Sequence, residues 1–430
     1  MSAFKEEKNS LSLFKVVALS SIGSSLEMYD FVTYIFFAPY IAKQFFPTTN
    51  YLASLLLTFS VFAVGSLCRI IGAIIFGHVG DTKGRKKTLI YTVVSMAVPT
   101  IVLTFLPTYQ EIGLIAPILL TLMRCLQGLA VGGEFSGSLT FVAEYAPSAN
   151  RGLICSLIIL SLNAGILLSS LIGLIVTKFL VEKGMLWGWR IAFFIGCMLA
   201  VLIAMMRRYL VETPLFQKLR EEKKIIQAPV LKLFAEEGKK AIFVIGSTIG
   251  PALVVGMIMF LPSYLQIFSS MKQPLASFIN NSLFLLVLCL SLPFFGKLSD
   301  QLGRKPIFIS GLLGIIVYIY PFSLWLPQTA TFISCFWPLC ILALLVSMVL
   351  SVFGSFLAEN FSTRFRTSGI GIAYNLPFSI ITGTFPMISL AIYRYTHSLN
   401  FQYAYIIVLA IISIAFVSLI QEKRGKSLPH

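Results

Sequence analysis

Apolar residues fall along this chain in long, nearly unbroken runs, without the alternation of a strand or the narrow stripe of a surface helix. About a dozen runs reach the roughly 20 residues that a helix needs to cross the hydrocarbon of a bilayer. The runs lie near 14–40, 51 to the turn at Gly77, 88–106, 112–140, 153–177 and 188–206. Six more follow near 241–268, 275–297, 306–326, 331–358, 367–393 and 402–420. Backbone groups in lipid must be satisfied within the segment, so these runs predict helices. The period-two signature of a membrane barrel is absent. The pattern predicts an all-α, multi-pass membrane protein of twelve spans with the lipid bilayer as its solvent.

Two polar turns interrupt the apolar pattern in the same way. Gly77 to Lys87 reads Gly-His-Val-Gly-Asp-Thr-Lys-Gly-Arg-Lys-Lys, and Gly296 to Pro306 reads Gly-Lys-Leu-Ser-Asp-Gln-Leu-Gly-Arg-Lys-Pro. Both keep the frame Gly-x-x-x-Asp-x-x-Gly-Arg-Lys, half a chain length apart. A charged turn that recurs once between hydrophobic runs points to one ancestral half used twice. A six-span lobe over 1–206, a polar linker over 207–240 and a second six-span lobe over 241–430 follow. The linker is rich in bases and acids and is broken by Pro214 and Pro229.

Only 12% of residues are charged and 57% are hydrophobic, about half the charge of a soluble chain. The net charge of +16 does not indicate nucleic acid, because the bases cluster in short loops beside apolar spans. Both turns, the linker, the loops near 151 and 364, and the two chain ends together hold most of the 33 bases. The positive-inside rule places that side, with both termini, in the cytoplasm. Residues 1–13 are polar and no small-residue cleavage site follows, so no cleaved signal peptide is expected. The seven cysteines are scattered without a CxxC pair and read as small core residues. No phosphate loop, HExxH or metal spacing occurs, so neither a metal, a cofactor nor an enzymatic activity is expected.

The candidate chemistry sits inside spans. Glu27 and Asp30 share a helix face with Ser24 and Tyr34, about 18 to 22 Å into span 1 at 1.5 Å per residue. Intramembrane acids are costly and usually functional. Burial disfavours their charge and a nearby guanidinium favours it, so such a group can bind a proton at one face and release it at the other. Arg124, Gln127 and Glu134 lie on one side of span 4. A guanidinium there needs an anion, which is Glu27, Asp30, Glu134 or a substrate carboxylate. Glu27, Asp30 and Glu134 are therefore the proton-coupling candidates, and Arg124, Gln127 and Tyr34 the substrate contacts. Gly128, Gly132, Gly133 and Gly137 favour close helix approach. Glu144 and Arg151 read as an ion-pair latch between loops. The second half shows no acid well inside a span, and Tyr374 and Asn375 are its candidate substrate contacts, against a role as helix-helix glue.

These residues resemble a known family. The doubled Asp-Gly-Arg turn after spans 2 and 8 looks like the signature loop of the major facilitator superfamily. Leu26-Glu27-Met28-Tyr29-Asp30-Phe31, the stretch Gln127 to Gly137 running on to Glu144 and Arg151-Gly152, and Trp187-Gly188-Trp189-Arg190 are similar to its metabolite:proton symporter branch. Glu212-Thr213-Pro214 fits as well. Within the branch the likeness is to proline/betaine transporters, through Pro107-x-Tyr109, Phe141-Val142-Ala143-Glu144-Tyr145 and Leu261-Pro262-Ser263-Tyr264-Leu265. Met28 departs from the family's usual Trp, and the sequence ends at His430 where some osmosensing members continue into a coiled coil.

The resemblance implies two helical lobes around a central cavity, alternating access, and proton-coupled uptake of a small carboxylate-bearing solute such as proline or glycine betaine. The alternative is a di- or tricarboxylate such as α-ketoglutarate or citrate. It further implies a monomer in a bacterial inner membrane. It assigns gating to Gly77, Gly80, Asp81, Gly84 and Arg85 and to Asp300, Gly303 and Arg304. Asp81 should face a helix N-terminus and, with Arg85, hold the cytoplasmic gate shut. Asp300 and Arg304 should matter less, because the second half lacks the buried charges of the first.

Overall fold

A computed structural model describes residues 13–181, 183–207, 212–222, 229–268, 274–325 and 332–429. Among the described residues eleven helices are long and apolar enough to cross a membrane. A twelfth, Leu13–Phe36, carries the buried acids Glu27 and Asp30. These are span 1, Leu13–Phe36; span 2, Tyr51–Lys83; span 3, Arg85–Phe105; span 4, Ile115–Tyr145; span 5, Arg151–Val176; and span 6, Trp189–Arg207. In the second half they are span 7, Pro229–Phe268; span 8, Pro274–Leu302; span 9, Arg304–Trp325; span 10, Phe332–Asn360; span 11, Arg366–Thr396; and span 12, Asn400–Leu419. Among the described residues there is no strand.

Two boundaries differ from the sequence pattern. Span 7 starts at Pro229, inside the expected linker, and kinks at Glu237 (φ −122°, ψ 19°). Its polar first turns hide the helix from a hydropathy reading. The rest of the linker includes a short helix, Pro214–Glu221, whose N-terminus is capped by the Thr213 hydroxyl. Asp81 lies within the last turn of span 2 rather than past its end.

Glycine sets the close crossings. A Cβ on Gly128 would lie 1.9 Å from the Gly65 carbonyl oxygen, and one on Gly72 2.0 Å from that of Leu129, so spans 2 and 4 meet backbone to backbone. Small residues at such crossings allow helices in lipid to gain dispersion contacts. The turns themselves need glycine for a different reason. Gly84 and Gly303 adopt φ of 113° and 105°, a region that costs strain for any side chain. The duplicated frame thus keeps a glycine wherever the chain reverses into span 3 or span 9.

The lobes also touch each other through small residues. A Cβ on Gly152 of span 5 would lie 2.7 Å from the Gly296 carbonyl oxygen of span 8, and one on Gly383 of span 11 would lie 2.4 Å from the Ser66 Cβ of span 2. At the end away from the turns, Phe36 meets Phe278 and Phe59 meets Phe260 edge to face. Ser170 of span 5 is hydrogen-bonded to both Asn281 and Ser282 of span 8. The chain is closed at both ends around its centre.

Candidate functional site

The turn end is held by two sets of charges related by the internal duplication. Asp81 accepts hydrogen bonds from the backbone N–H groups of Thr367 (3.3 Å) and Ser368 (2.8 Å), in the first turn of span 11. Asp300 accepts from those of Gly152 (2.8 Å) and Leu153 (2.9 Å), in the first turn of span 5. Each carboxylate thus meets unpaired N–H groups and the positive end of the peptide dipoles of a helix in the other lobe. Arg85 lies 3.5 Å from Asp81 and 3.4 Å from Glu144, and Arg366 of the second lobe reaches Glu144 at 3.1 Å. In the second set Arg304 lies 2.8 Å from Asp300 and 3.1 Å from Glu359, and Arg151 of the first lobe reaches Glu359 at 3.3 Å.

Asp81 faces the start of span 11 with Arg85 beside it. Two expectations are corrected. Asp300 and Arg304 are as fully engaged as their counterparts, because Glu359 supplies a buried acid at the end of span 10 that the sequence reading passed over. Glu144 and Arg151 do not pair with each other; each pairs across the lobes.

Two further elements brace this end. Glu212 accepts from the backbone N–H groups of Arg85 and Lys86 at the start of span 3, and Glu422 from that of Lys305 at the start of span 9. The tail beyond span 12 crosses the latch: Arg151 donates to the Lys426 carbonyl, and Arg366 and Thr363 to the Pro429 carbonyl. Lys423 donates to the Glu359 carbonyl at 3.1 Å.

Behind the latch the first lobe holds its acids in three different states. Glu134 is clamped by both terminal nitrogens of Arg207 and accepts from the Thr92 hydroxyl at 2.5 Å and that of Ser138 at 3.3 Å. Asp30 accepts through one oxygen from the Thr100 hydroxyl and the Gln127 amide (2.9 Å), while its other oxygen has no partner among the described residues. Glu27 is 2% exposed and neither oxygen has a partner among the described residues. The Glu27 carboxylate lies within electrostatic reach of Glu134, Arg69 and Arg207.

Among the described residues Arg124 does not pair directly with an acid. One terminal nitrogen donates to Gln127 (2.6 Å), the other to the Phe31 carbonyl (3.1 Å), and the guanidinium lies over the rings of Phe31, Tyr34 and Phe62. The Tyr34 hydroxyl donates to the Thr58 carbonyl at 3.0 Å. Arg124, Gln127, Tyr34, Thr100 and Asp30 therefore form one network inside the first lobe, and Gln127 is the bridge between the cation and the acid.

The interface between lobes centres on Arg69 of span 2. Its guanidinium packs against Phe31 (5.4 Å) and Tyr374 (5.1 Å), one ring from each lobe. Its Nε donates to the Asn375 Oδ1 at 3.2 Å, and the Asn375 amide nitrogen donates to the carbonyls of Gly132 (2.7 Å) and Gly371 (2.9 Å). Both terminal nitrogens of Arg69 lack a hydrogen bond of normal geometry among the described residues, although the side chain is fully buried. Asn375 is thus engaged on every polar atom as an inter-lobe tie. The Tyr374 ring lies tilted against Phe135, with centroids 4.2 Å apart, and against Phe378, at 4.1 Å, across the lobes and along its own helix. Among the described residues no group of histidine, cysteine, aspartate or glutamate side chains could hold a metal ion.

Comparison with known proteins gives a consistent picture. Residues 16–232 match the family model described as sugar (and other) transporter. The chain is 32% identical over 419 residues to the alpha-ketoglutarate permease of Escherichia coli (strain K12), covering 97% of this chain and 95% of that one. It is 32% identical over 389 residues to the citrate-proton symporter of Salmonella typhi, covering 89% and 88%. To the proline/betaine transporter of Salmonella typhimurium it is 30% identical over 413 residues, covering 94% and 82%. Among solved structures, the major facilitator superfamily proton:xylose symporter XylE bound to 6-bromo-6-deoxy-D-glucose superposes with a TM-score of 0.80, covering 97% of both chains at 18% identity.

Proposed function

Because this chain belongs to the sugar (and other) transporter family of the major facilitator superfamily, we propose that it is a secondary active transporter. It takes up a small carboxylate-bearing solute with a proton, by alternating access. The observation that carries this reading is a pair of opposite charges whose polar atoms lack hydrogen bonds of normal geometry among the described residues: the Glu27 carboxylate inside the first lobe and the terminal nitrogens of Arg69 at the lobe interface. Buried charged groups without hydrogen bonds are expensive. A proton on Glu27 and a carboxylate on Arg69 would relieve both, and neither would be needed in a static scaffold.

The three acids then divide by how much of each carboxylate is free. Glu134, fully occupied, fastens spans 4 and 6. Glu27 and Asp30 carry the proton, with Gln127 relaying the state of Asp30 to Arg124. Arg124, whose terminal donors are taken up internally, positions Phe31 and Tyr34 behind Arg69, and Tyr374 closes the site from the second lobe. The latch breaks as the cavity turns to face the cytoplasm. The transporter works as a monomer in a bacterial inner membrane, with both termini in the cytoplasm.

Uptake into liposomes under an imposed inward proton gradient tests the proposal. Labelled solute should accumulate, collapse with a protonophore, and show counterflow. Glu27→Gln should abolish accumulation and leave exchange. Equilibrative flux that ignores the gradient, or full accumulation by both Glu27→Gln and Asp30→Asn, would overturn it.

A further inference from the structure

The chain after span 6 and the chain after span 12 begin alike. Glu212 accepts from the backbone N–H groups of Arg85 and Lys86 at the start of span 3, and Glu422 accepts from that of Lys305 at the start of span 9. Each carboxylate lies against the positive-φ glycine of its turn, Gly84 or Gly303. Beyond that point the two copies part. After Glu212 the chain enters the short helix Pro214–Glu221, and the Phe216 ring covers the Arg85 guanidinium at 4.7 Å, beside the first lobe's own turn. After Glu422 the chain reaches across to the other lobe.

Residues 422–429 are pinned to the second lobe at both ends. Glu422 holds the near end, with its other oxygen accepting from the backbone N–H groups of Lys423 (3.1 Å) and Arg424 (3.2 Å). At the far end the Pro429 carbonyl accepts from the Thr363 N–H (3.0 Å), the Thr363 hydroxyl (3.1 Å) and the Arg366 guanidinium (3.0 Å). Between the pins, the Lys426 carbonyl accepts from Arg151 of the first lobe at 3.0 Å. Arg151 and Arg366 also make the cross-lobe ion pairs, with Glu359 and Glu144. Each of these two arginines therefore gives an N–H to the backbone of the same short segment.

We propose that residues 422–429 are an autoinhibitory strap, which restrains the turn end from opening while it is docked. The inference rests on the reading of the chain as an alternating-access carrier. For the lobes to part at this end, Arg151 must leave the Lys426 carbonyl as well as Glu359. Arg366 stays on its own lobe, where the Pro429 carbonyl holds one terminal nitrogen while the other meets Glu144. A guanidinium presents its donors in a rigid fork, so anchoring one nitrogen aims the other. The strap thus adds one bond across the seam and orients the cation of another.

The strap can lift while the bundle stays folded. It is held by hydrogen bonds, and no residue of 421–429 is buried. Segments with few buried apolar contacts open locally, far below the cost of global unfolding. Gly425 makes the bend of the strap at a φ of 70°, and a Cβ there would meet nothing within 4 Å. A methyl group at 425 therefore strains the docked strap through its backbone alone and touches neither the latch nor the lobes.

Spin labels on the turn ends of the two lobes, in the full chain with the seven native cysteines replaced, read the ratio of open to closed turn ends. Gly425→Ala should raise that ratio by up to about tenfold, the population penalty of a side chain in the left-handed region. Replacing residues 423–429 by a Gly-Ser sequence of equal length keeps Glu422 and should raise it by about tenfold or more. An unchanged ratio in the Gly-Ser variant overturns the strap. A lower melting temperature in that variant, with no shift in the ratio, does the same, because it marks a tail that only stabilises. Gradient-driven uptake by the parent separates this inference from the carrier reading. Its absence, beside a ratio that rises in the variants, sinks the carrier and keeps the strap. Its presence beside an unchanged ratio does the reverse.

Discussion

Asp300→Asn should open the turn end about as strongly as Asp81→Asn. The native carboxylate accepts two backbone N–H bonds at 2.8 and 2.9 Å and pairs with Arg304 at 2.8 Å, with its side chain 7% exposed. Asparagine keeps one acceptor oxygen and loses the charge, so one N–H at the start of span 5 goes unpaired. Hydrogen bonds to charged groups contribute about 1.5 to 3 kcal/mol each, and an anion at a partly buried helix N-terminus up to about 2 kcal/mol. The two describe overlapping interactions, and Arg304 keeps Ser299 and Glu359, so a net loss of about 2 kcal/mol is expected. At 1.4 kcal/mol per decade this raises the ratio of open to closed turn ends about 30-fold. Spin labels on the turn ends of the two lobes, in a background with the seven native cysteines replaced, report that ratio as a distance distribution. If Asp81→Asn shifts the distribution and Asp300→Asn does not, the second latch does not act as a gate despite its matched geometry.

Three other outcomes follow from the packing and the tail. Gly128→Ala should lower the melting temperature by several degrees, because its Cβ would lie 1.9 Å from the Gly65 carbonyl oxygen and the crossing of spans 2 and 4 must widen. Arg207→Gln should cost about 3 to 5 kcal/mol by leaving the Glu134 charge uncompensated; Arg207→Gln with Glu134→Gln should recover much of it, measured by thermal unfolding in detergent. Burial, and then Lys240, pull the Lys423 ammonium down to about 8, against the opposing pull of Glu237 and Glu359. The docked tail therefore prefers the neutral amine. Docking should tighten as the pH rises from about 8 towards the ordinary lysine range near 10.4. Loss of hydrogen-exchange protection at residues 422–429 on going down through that window would confirm the sign.

The twelve spans and the doubled turn are legible in the sequence because both rest on local pattern: apolar length for the helices, and a fixed frame of glycine, aspartate and arginine for the turns. The acids Glu27, Asp30 and Glu134 are legible because a charge in an apolar run stands out. What separates them is not local. Glu134 is satisfied by Arg207, two spans away in sequence, and Glu27 is satisfied by nothing among the described residues. Arg69 shows the same limit. A lone arginine in an apolar span looks the same whether its terminal nitrogens are hydrogen-bonded, as those of Arg124 are, or lack a hydrogen bond of normal geometry among the described residues, as those of Arg69 do. Glu359 escaped because it closes span 10 and looks like a loop residue until Arg151 and Arg304 are seen to converge on it. The start of span 7 is hidden in the sequence because Pro229–Lys240 is too polar for a hydropathy reading, though its helix is packed through Leu233 and Ala241.

The latch has a bearing on ancestry. Asp81 caps span 11 from the first lobe, and Asp300 caps span 5 from the second; Arg366 answers Glu144 as Arg151 answers Glu359. Contacts of the form i to j′ and j to i′ define an isologous interface, the kind formed by two identical subunits about a dyad. A single six-helix chain bearing one Asp-Gly-Arg turn, one glutamate at the end of its fourth helix and one arginine at the start of its fifth would already have closed such a dimer. Joined in one chain, neither half has to match the other. The deep acids Glu27, Asp30 and Glu134 lie in one half, while the pairs Arg366–Glu144 and Arg151–Glu359 stand between the two halves.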